Sequence, residues 1–329
     1  MEKLLTVSIA SYNVEAFLRK TLDSCIVPEL MDELEVLIVN DGSKDSTPEI
    51  AREYEAAYPE TFRLIDKKNG GYGSTVNRSM QEARGTFYKL LDGDDWFDPE
   101  GLKSLMEALG TSTADYVISR IRYCEDGGGK ETVNDPRWAH LEGQTVPVSA
   151  IDLEFTPGIW HTTVRTSILK EHAFRLPLHT LYTDQLFIVN TLIWARSVQF
   201  LSCPVYCYRI GRDGQSVSRE SRIKHVDEEM KVVGRIVRLY AESEGITEEN
   251  RPAVRSRVNL YYYYALVTLL LLPPSRETYR RYRSFEKRAK ALAPDLYRSA
   301  GFYAKKVLAV RLGGWPAYRH FAGKVENFN

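Results

Sequence analysis

Four short apolar runs constrain the fold of this chain more than any other feature. They occupy residues 4–10, 36–39, 62–65 and 87–91, and each ends in a polar or glycine-bearing loop. Helical patterns lie between them. Phe17, Leu18, Leu22 and Cys25 recur at helical spacing, and Val76, Met80 and Ala83 do so later. Ser46-Thr47-Pro48-Glu49 reads as a capping box, with Ser46 at the cap and Glu49 three residues on. Runs this short are strands, and strand–helix alternation with short loops predicts a parallel sheet covered on both faces. The loops after the strands then share one edge of the sheet, where open α/β sheets bind ligands.

The fourth run ends abruptly in Asp92-Gly93-Asp94-Asp95-Trp96-Phe97, followed by Asp98-Pro99. Asp98 is the expected N-cap of the next helix, with Pro99 in its first turn. An acidic capping turn explains Asp98 but not Asp92 and Asp94 beside an apolar strand. Two carboxylates one residue apart at a strand tip can share a hard cation that keeps its other positions for water and phosphate oxygens. The other loops carry Ser11-Tyr12-Asn13, Asp41-Gly42-Ser43 and Gly70-Gly71-Tyr72-Gly73. An aromatic, an acceptor, a glycine-rich backbone and metal carboxylates together suit a nucleoside diphosphate. Asp41 is placed to accept from a base N–H, and the glycines let backbone N–H groups approach phosphates at a helix start. No Lys-Ser/Thr completes a P-loop. The glycines also do not follow the first strand, as they would in a dinucleotide-binding fold.

Tyr12-Asn13-Val14-Glu15, Val39-Asn40-Asp41-Gly42-Ser43-x-Asp45, Asn69-Gly70-Gly71-x-Gly73-Ser74-Thr75-x-Asn77 and Leu91-Asp92-Gly93-Asp94-Asp95 resemble, in order and spacing, the motifs of family 2 glycosyltransferases. The resemblance covers residues 4–218. It implies the GT-A fold, an inverting transfer, a nucleotide-sugar donor, most often a uridine diphosphate sugar, and Mn²⁺ or Mg²⁺. It assigns Asp94 and Asp92 to the metal. To the donor it assigns Ser11, Tyr12, Asn13, Glu15, Asp41, Asn69, Gly70, Gly73, Asn77, Asp92 and Gly93. Trp96 and His161 fall on the acceptor side, although a structural histidine is an equal reading of His161. Tyr182-Thr183-Asp184-x-x-Phe187 is similar to the family segment whose Asp is the catalytic base. Read alone, Thr183 caps a helix and Asp184 is a first-turn acid whose ionised form the helix dipole favours. Residues 209–218 resemble a loop that contacts the donor pyrophosphate, which implicates Arg209, Ser216 and Ser218. Two departures stand out. Ala10 replaces a common proline, and Val76 replaces an arginine that contacts the donor in relatives, so Arg209 is the expected substitute.

Further along, residues 98–109 read as a helix and 115–123 as a strand. Gly127-Gly128-Gly129-Lys130 reads as a hairpin loop rather than a phosphate site. Residues 158–165 and 200–208 read as strands, and the chain is helical from Lys224. Val232, Val233, Ile236, Val237 and Tyr240 should face a core, as should Tyr279, Tyr282 and Phe285. Residues 261–272 should be largely buried. Gly313-Gly314-Trp315-Pro316 reads as a breaker before a short aromatic end.

The expected organisation is a GT-A catalytic domain over 1–218 and a helical region over 219–329. Within the catalytic domain, 1–98 forms the donor half and 99–218 the acceptor half. At 329 residues, two domains are the ordinary expectation. The net charge of zero hides an asymmetry. Residues 219–329 carry 22 Lys and Arg against 12 Asp and Glu, and residues 1–218 carry 22 against 32. Solvated helix faces explain this simply. A basic module meeting an anionic acceptor or membrane face is the functional alternative.

The longest apolar run is too short for a bilayer and is closed by Pro273-Pro274. Met1-Glu2-Lys3 leads straight into the first strand without a leader. Four dispersed cysteines give no disulfide framework or zinc site. A cytoplasmic enzyme is expected, with peripheral membrane contact through its basic end and no nucleic-acid partner. It would transfer sugar to a saccharide or lipid-linked saccharide during surface polysaccharide synthesis. The enzyme alternative is a nucleotidyltransferase, which would want Lys and Arg in the Ser11-Tyr12-Asn13 loop. The other alternative is a binding domain that has lost catalysis, against which Asp92, Asp94 and Asp184 argue.

Overall fold

The computed structural model describes residues 2–151, 157–211, 219–303 and 305–324. The chain forms two compact units. The first comprises Met1–Ala150, Pro157–Thr180 and Trp194–Arg212, and the second Ile151–Thr156, Leu181–Ile193 and Asp213–Asn329. Leu181–Ile193 thus joins the carboxyl-terminal helices, not the 99–218 segment in which sequence order puts it.

The first unit begins β1 (Leu5–Ser11), α1 (Glu15–Asp23), β2 (Leu34–Asn40), α2 (Thr47–Ala57), β3 (Phe62–Asp66), α3 (Tyr72–Glu82) and β4 (Phe87–Asp92). It continues β5 (Trp96–Phe97), α4 (Pro99–Thr111), β6 (Tyr116–Glu125), β7 (Glu131–Val133), β8 (Thr145–Pro147), β9 (Thr162–Arg165), α5 (Thr166–Glu171) and β10 (Ser197–Ile210). The described strands form one sheet in the order β3-β2-β1-β4-β9-β6-β10-β5, with β7 on β6 and β8 on β10. The four strands read as a parallel set are parallel, in the order β3-β2-β1-β4. Beyond β4 the sheet is mixed: β9 is antiparallel to both β4 and β6, and β5 is antiparallel to β10.

Burial on both faces explains the continuous apolar runs. Alternate residues of β2 enter different clusters, Val36 and Ile38 one, Leu37 and Val39 the other. Asp98 caps α4 as expected, accepting the Gly101 N–H at 2.8 Å. The Ser46–Glu49 capping box does not form: Ser46 makes no side-chain cap bond, and other acids accept from the first N–H groups. Asp45 Oδ1 accepts from Thr47 N–H at 3.1 Å, and Glu15 Oε2 from Ser46 N–H at 2.8 Å. The 158–165 strand is shorter than expected, with a turn preceding Thr162 in which His161 N–H donates to Gly158 O. Gly127–Lys130 is the β6–β7 hairpin loop, as read.

The second unit is helical: α6 (Thr183–Trp194), α7 (Arg219–Lys224), α8 (Val226–Glu242), α9 (Arg251–Leu271), α10 (Arg276–Leu292), α11 (Pro294–Tyr303) and α12 (Lys305–Phe321). α8 buries Val232, Val233, Ile236, Val237 and Tyr240, and α9 is buried on most sides. α10 buries Tyr282 and Phe285, while Tyr279 packs against Trp315 and Tyr318. The Gly313–Pro316 stretch does break the helix. Gly314, at φ +60°, kinks the chain and the helix resumes to Phe321.

Candidate active site

The acidic turn after β4 lies next to β1. Gly93 N–H donates to Ala10 O at 3.2 Å, and a Cβ on Gly93 would stand 2.9 Å from that oxygen, so glycine is needed here. Asp92 and Asp94 are half-buried, whereas Asp95 is buried. The turn is gripped from several sides. Tyr206 Oη on β10 donates to Asp95 Oδ2 at 2.6 Å and accepts from Asp92 N–H at 3.2 Å. Arg209 N–H donates to Asp95 Oδ1 at 2.8 Å, and Arg209 Nε to Asp94 O at 2.9 Å. Thr21 Oγ1 lies 3.1 Å from Gly93 O and 2.7 Å from Asp95 O. Asp95 therefore belongs to the frame of the turn. Burial, then the charges of Asp92 and Asp94, push its pKa up, and the bonds from Tyr206 and Arg209 oppose them.

Arg209 sits behind the turn, with its Nη1 2.6 Å from Asp126 Oδ1 and its guanidinium over Phe17 and Trp96. Trp96 also carries Lys20 Nζ 3.2 Å from its ring centroid. Two cations thus lie over the ring expected on the acceptor side.

Beside the acidic turn, the β2 and β3 loops interlock. The Asp41 carboxylate accepts from Lys67 Nζ at 2.6 Å and Gly70 N–H at 2.9 Å on Oδ1, and from Gly71 N–H at 2.8 Å on Oδ2. Asn69 Nδ2 donates to Asp41 O at 2.9 Å. Asp41 is thus first a clamp on the glycine loop. Oδ2 has one bond among the described residues, which leaves a lone pair for a base N–H. Gly71, at φ +80°, hands the chain into α3, whose first turn holds Gly73. In the β1 loop, Ser11 is buried, Tyr12 is 49% exposed, and Asn13 takes φ +52°. Asn13 Oδ1 accepts from Lys44 N–H at 2.9 Å, and Asn13 N–H donates to Ser43 Oγ at 3.0 Å. Glu15 caps α2, as described, so Asn13 and Glu15 brace this loop against the next.

Asn77, expected at the donor, also has a structural partner. Its amide pairs with Leu176, donating to the backbone oxygen at 2.9 Å and accepting the N–H at 2.8 Å. Both amide ends bond one backbone position, which pins the 176–180 segment, where His179 N–H reaches Gly70 O at 2.7 Å. His161 is also held structurally. Its Nδ1 accepts from Gly158 N–H at 3.1 Å, its Nε2 lies 3.4 Å from Asn134 Nδ2, and Trp138 packs edge-on.

Within the second unit, Asp184 lies in the first turn of α6. Burial raises its pKa, against the lowering effect of Arg257 and Arg222. The helix start was expected to favour the ionised form, but desolvation outweighs it. Thr183 does not cap. It is the first residue of α6, and its buried hydroxyl has no hydrogen-bond partner among the described residues. Nearby polar groups are buried too: Arg222 Nη1 donates to Glu229 Oε1 at 3.1 Å, and Arg257 Nε to Tyr261 Oη at 2.9 Å. Ser216 and Ser218 lie outside the described residues.

Sequence reasoning missed Tyr206, Thr21 and Lys67, which hold the loops in place. It also missed Lys89, which lies on β4 with its Nζ 3.0 Å from Trp160 O and 3.3 Å from Thr162 O. Lys89 is fully buried, and burial lowers its pKa to about 7. A lysine in an apolar run was the available signal. For the phenol of Tyr206 there was none.

A divalent cation fits the donor set of the acidic turn. Asp92 and Asp94 offer hard carboxylate oxygens on a half-buried tip. Among the described residues, no three His, Cys, Asp or Glu form a closed cage, so phosphate oxygens would have to complete the shell.

The family model described as glycosyl transferase family 2 matches residues 6–174. The chain is 27% identical to the putative glycosyltransferase EpsH of Bacillus subtilis, over 86% of this chain and 80% of that protein. It is 24% identical to the poly(ribitol-phosphate) beta-N-acetylglucosaminyltransferase TarS of Staphylococcus aureus, over 65% of this chain and 36% of that one. The crystal structure of S. aureus TarS 1-349 with UDP-GlcNAc superposes with a TM-score of 0.71 at 19% identity, covering 99% of this chain and 94% of that chain. A mannosyltransferase of Pyrobaculum calidifontis, in complex with GDP-Man and Mn²⁺, gives a TM-score of 0.56 at 16% identity, covering 98% and 84%. These likenesses support the GT-A fold.

Proposed function

This chain belongs to glycosyl transferase family 2, and on that premise we propose that it moves a sugar from a uridine diphosphate sugar to a hydroxyl of a surface-polysaccharide acceptor, inverting the anomeric centre. One observation carries the reading. The acidic turn, the Asp41-clamped glycine loop and the exposed Tyr12 all follow strands of one parallel set and so share its carboxyl edge.

In this reading Asp41 Oδ2 receives a base N–H, and Tyr12 offers a ring face to the base. Asp94 and Asp92 would hold Mn²⁺ or Mg²⁺, which supplies charge neutralisation for the departing diphosphate. Tyr206, Thr21 and Arg209 hold the backbone of the turn that carries the two carboxylates, which limits reorganisation as charge develops. Asp184 takes the proton from the attacking hydroxyl. Its raised pKa makes it a stronger proton acceptor than an ordinary aspartate, which suits a general base.

The test is calorimetry against a panel of uridine and guanosine diphosphate sugars, with and without Mn²⁺, on the wild-type chain and Asp94→Ala. A uridine diphosphate sugar should bind with Mn²⁺, and Asp94→Ala should weaken it by at least about tenfold. Undiminished donor binding and turnover in excess EDTA would overturn the metal-assisted mechanism.

A further inference from the structure

We propose that a cleft between α8, α9 and α10 binds the phosphate headgroup of an anionic membrane lipid. The cleft has a volume of about 350 Å³ and lies wholly within the second unit. Its rim is cationic. Arg280, Ser284 and Arg288 recur at i, i+4 and i+8 on α10, so they share one side of that helix. Arg281 is also at the rim, but Asp227 offsets its charge. Among the described residues, Arg280 and Arg288 have no carboxylate partner, and Arg288 Nη1 donates only to Ser284 Oγ, at 3.1 Å. Two uncompensated guanidiniums flanking a hydroxyl suit a phosphate ester, which takes several N–H donors at once.

The floor decides between ligands. Met230, Leu269 and Phe285 line the cleft with the arginines, and the last two are buried and so are taken as its floor. Free phosphate or a soluble polyanion gains nothing from that surface. The glycerol and first methylenes of a lipid do, because burying them removes apolar area from water.

An independent observation also points to an apolar phase. Six large hydrophobic side chains are exposed among the described residues, and three of them, Leu292, Leu308 and Leu312, lie on α10 and α12. Leu308 and Leu312 are four residues apart on one side of α12, and Leu312 is 82% exposed. Leucines on one side of a helix that opens with Lys305-Lys306 fit a segment resting in a bilayer interface. No described helix is long and apolar enough to cross a membrane, so the contact would be with one surface.

The proposal does not depend on sugar transfer, and its test measures binding alone. The full chain is floated with vesicles of phosphatidylcholine, either pure or mixed with phosphatidylglycerol. Binding is expected only to the mixed vesicles and should fall as salt rises. The pair Arg280→Ala/Arg288→Ala should lower apparent affinity by about tenfold or more. The control pair Arg235→Ala/Arg238→Ala removes the same charge from exposed positions of α8 outside the cleft and should cost less than about threefold. Equal losses in both pairs would show diffuse attraction and overturn the site, as would absence of binding to mixed vesicles. Full competition by soluble glycerol phosphate would show that the headgroup alone suffices. Full competition by polyphosphate would assign the cleft to an anionic polymer. Either result overturns the lipid assignment.

Discussion

Tyr206→Phe removes one oxygen from the frame of the acidic turn and keeps the ring that packs edge-on to Phe97 at 6.2 Å. The lost oxygen has two partners, Asp95 Oδ2 at 2.6 Å and Asp92 N–H at 3.2 Å. Loss of an ordinary hydrogen bond costs roughly 0.5–1.5 kcal/mol, and a buried N–H left without a partner about 1–3 kcal/mol. The two losses share one turn, and Asp95 keeps the Arg209 N–H at 2.8 Å, so they should not add fully. A destabilisation of about 1–4 kcal/mol is expected on these figures. Urea unfolding should show a lower midpoint with an unchanged slope, since the exposed surface hardly changes. Groups that orient metal ligands typically change metal affinity 10–100-fold when removed, so Mn²⁺-dependent binding of uridine diphosphate should weaken by about tenfold or more. A stability change below about 0.5 kcal/mol together with unaltered Mn²⁺-dependent binding would refute the claim that the phenol holds the turn.

Asp184→Asn should lower kcat by about 10²–10⁴-fold while leaving donor affinity nearly intact, because only the proton acceptor is lost. In the wild type, the rate should fall with acid at a higher pH than an ordinary aspartate would dictate, since its pKa is raised and only the deprotonated form is active. Pre-steady-state transfer across a pH series checks both points, and near-normal transfer by the variant would make Asp184 structural. Lys89 gives a prediction about stability against pH. Its folded pKa of about 7 lies below the ordinary lysine value of 10.5, so the unfolded chain binds more protons between those two pH values. The penalty for burying the ammonium is full below about 7 and is relieved as pH rises towards 10.5. Wild type should therefore gain stability relative to Lys89→Met over that window, as measured by denaturant midpoints at each pH. A gap that does not move with pH would count against a charged Lys89 at low pH.

Much of the donor half was legible because its information is local. An apolar run of four to seven residues between helical patterns has few ways to be anything but a buried strand, and β1 to β4 formed accordingly. Asp98-Pro99 capped α4 because both residues act within a single turn. The misreadings occurred where distant groups competed for the same donors. Ser46 and Glu49 have the spacing of a capping box, but Asp45 and Glu15 reach the first N–H groups instead. Asp184 at a helix start suggested a favoured ionised form, but burial reversed the balance. The mixed part of the sheet was illegible for the same reason. Nothing local to Trp96-Phe97 or to residues 197–210 reveals that the two segments pair antiparallel. The break at Gly314 was legible, but a glycine pair before a proline does not say whether a helix resumes beyond it.

The distance along the chain between the acidic turn and its frame bears on how the protein is made. Tyr206 and Arg209 reach the turn across 111 to 115 residues. Domains form from the amino terminus as the ribosome delivers about 5–20 residues per second. A nascent chain that has emerged only as far as α4 would contain all four loop motifs, but Asp95 would still lack both side-chain and backbone donors from β10. For several seconds of synthesis the donor loops exist as sequence without the geometry that makes them a site. A fragment ending before β10 should accordingly be a poor stand-in for the donor half, however complete its motifs. The strand that closes the sheet is also the one that sets the turn.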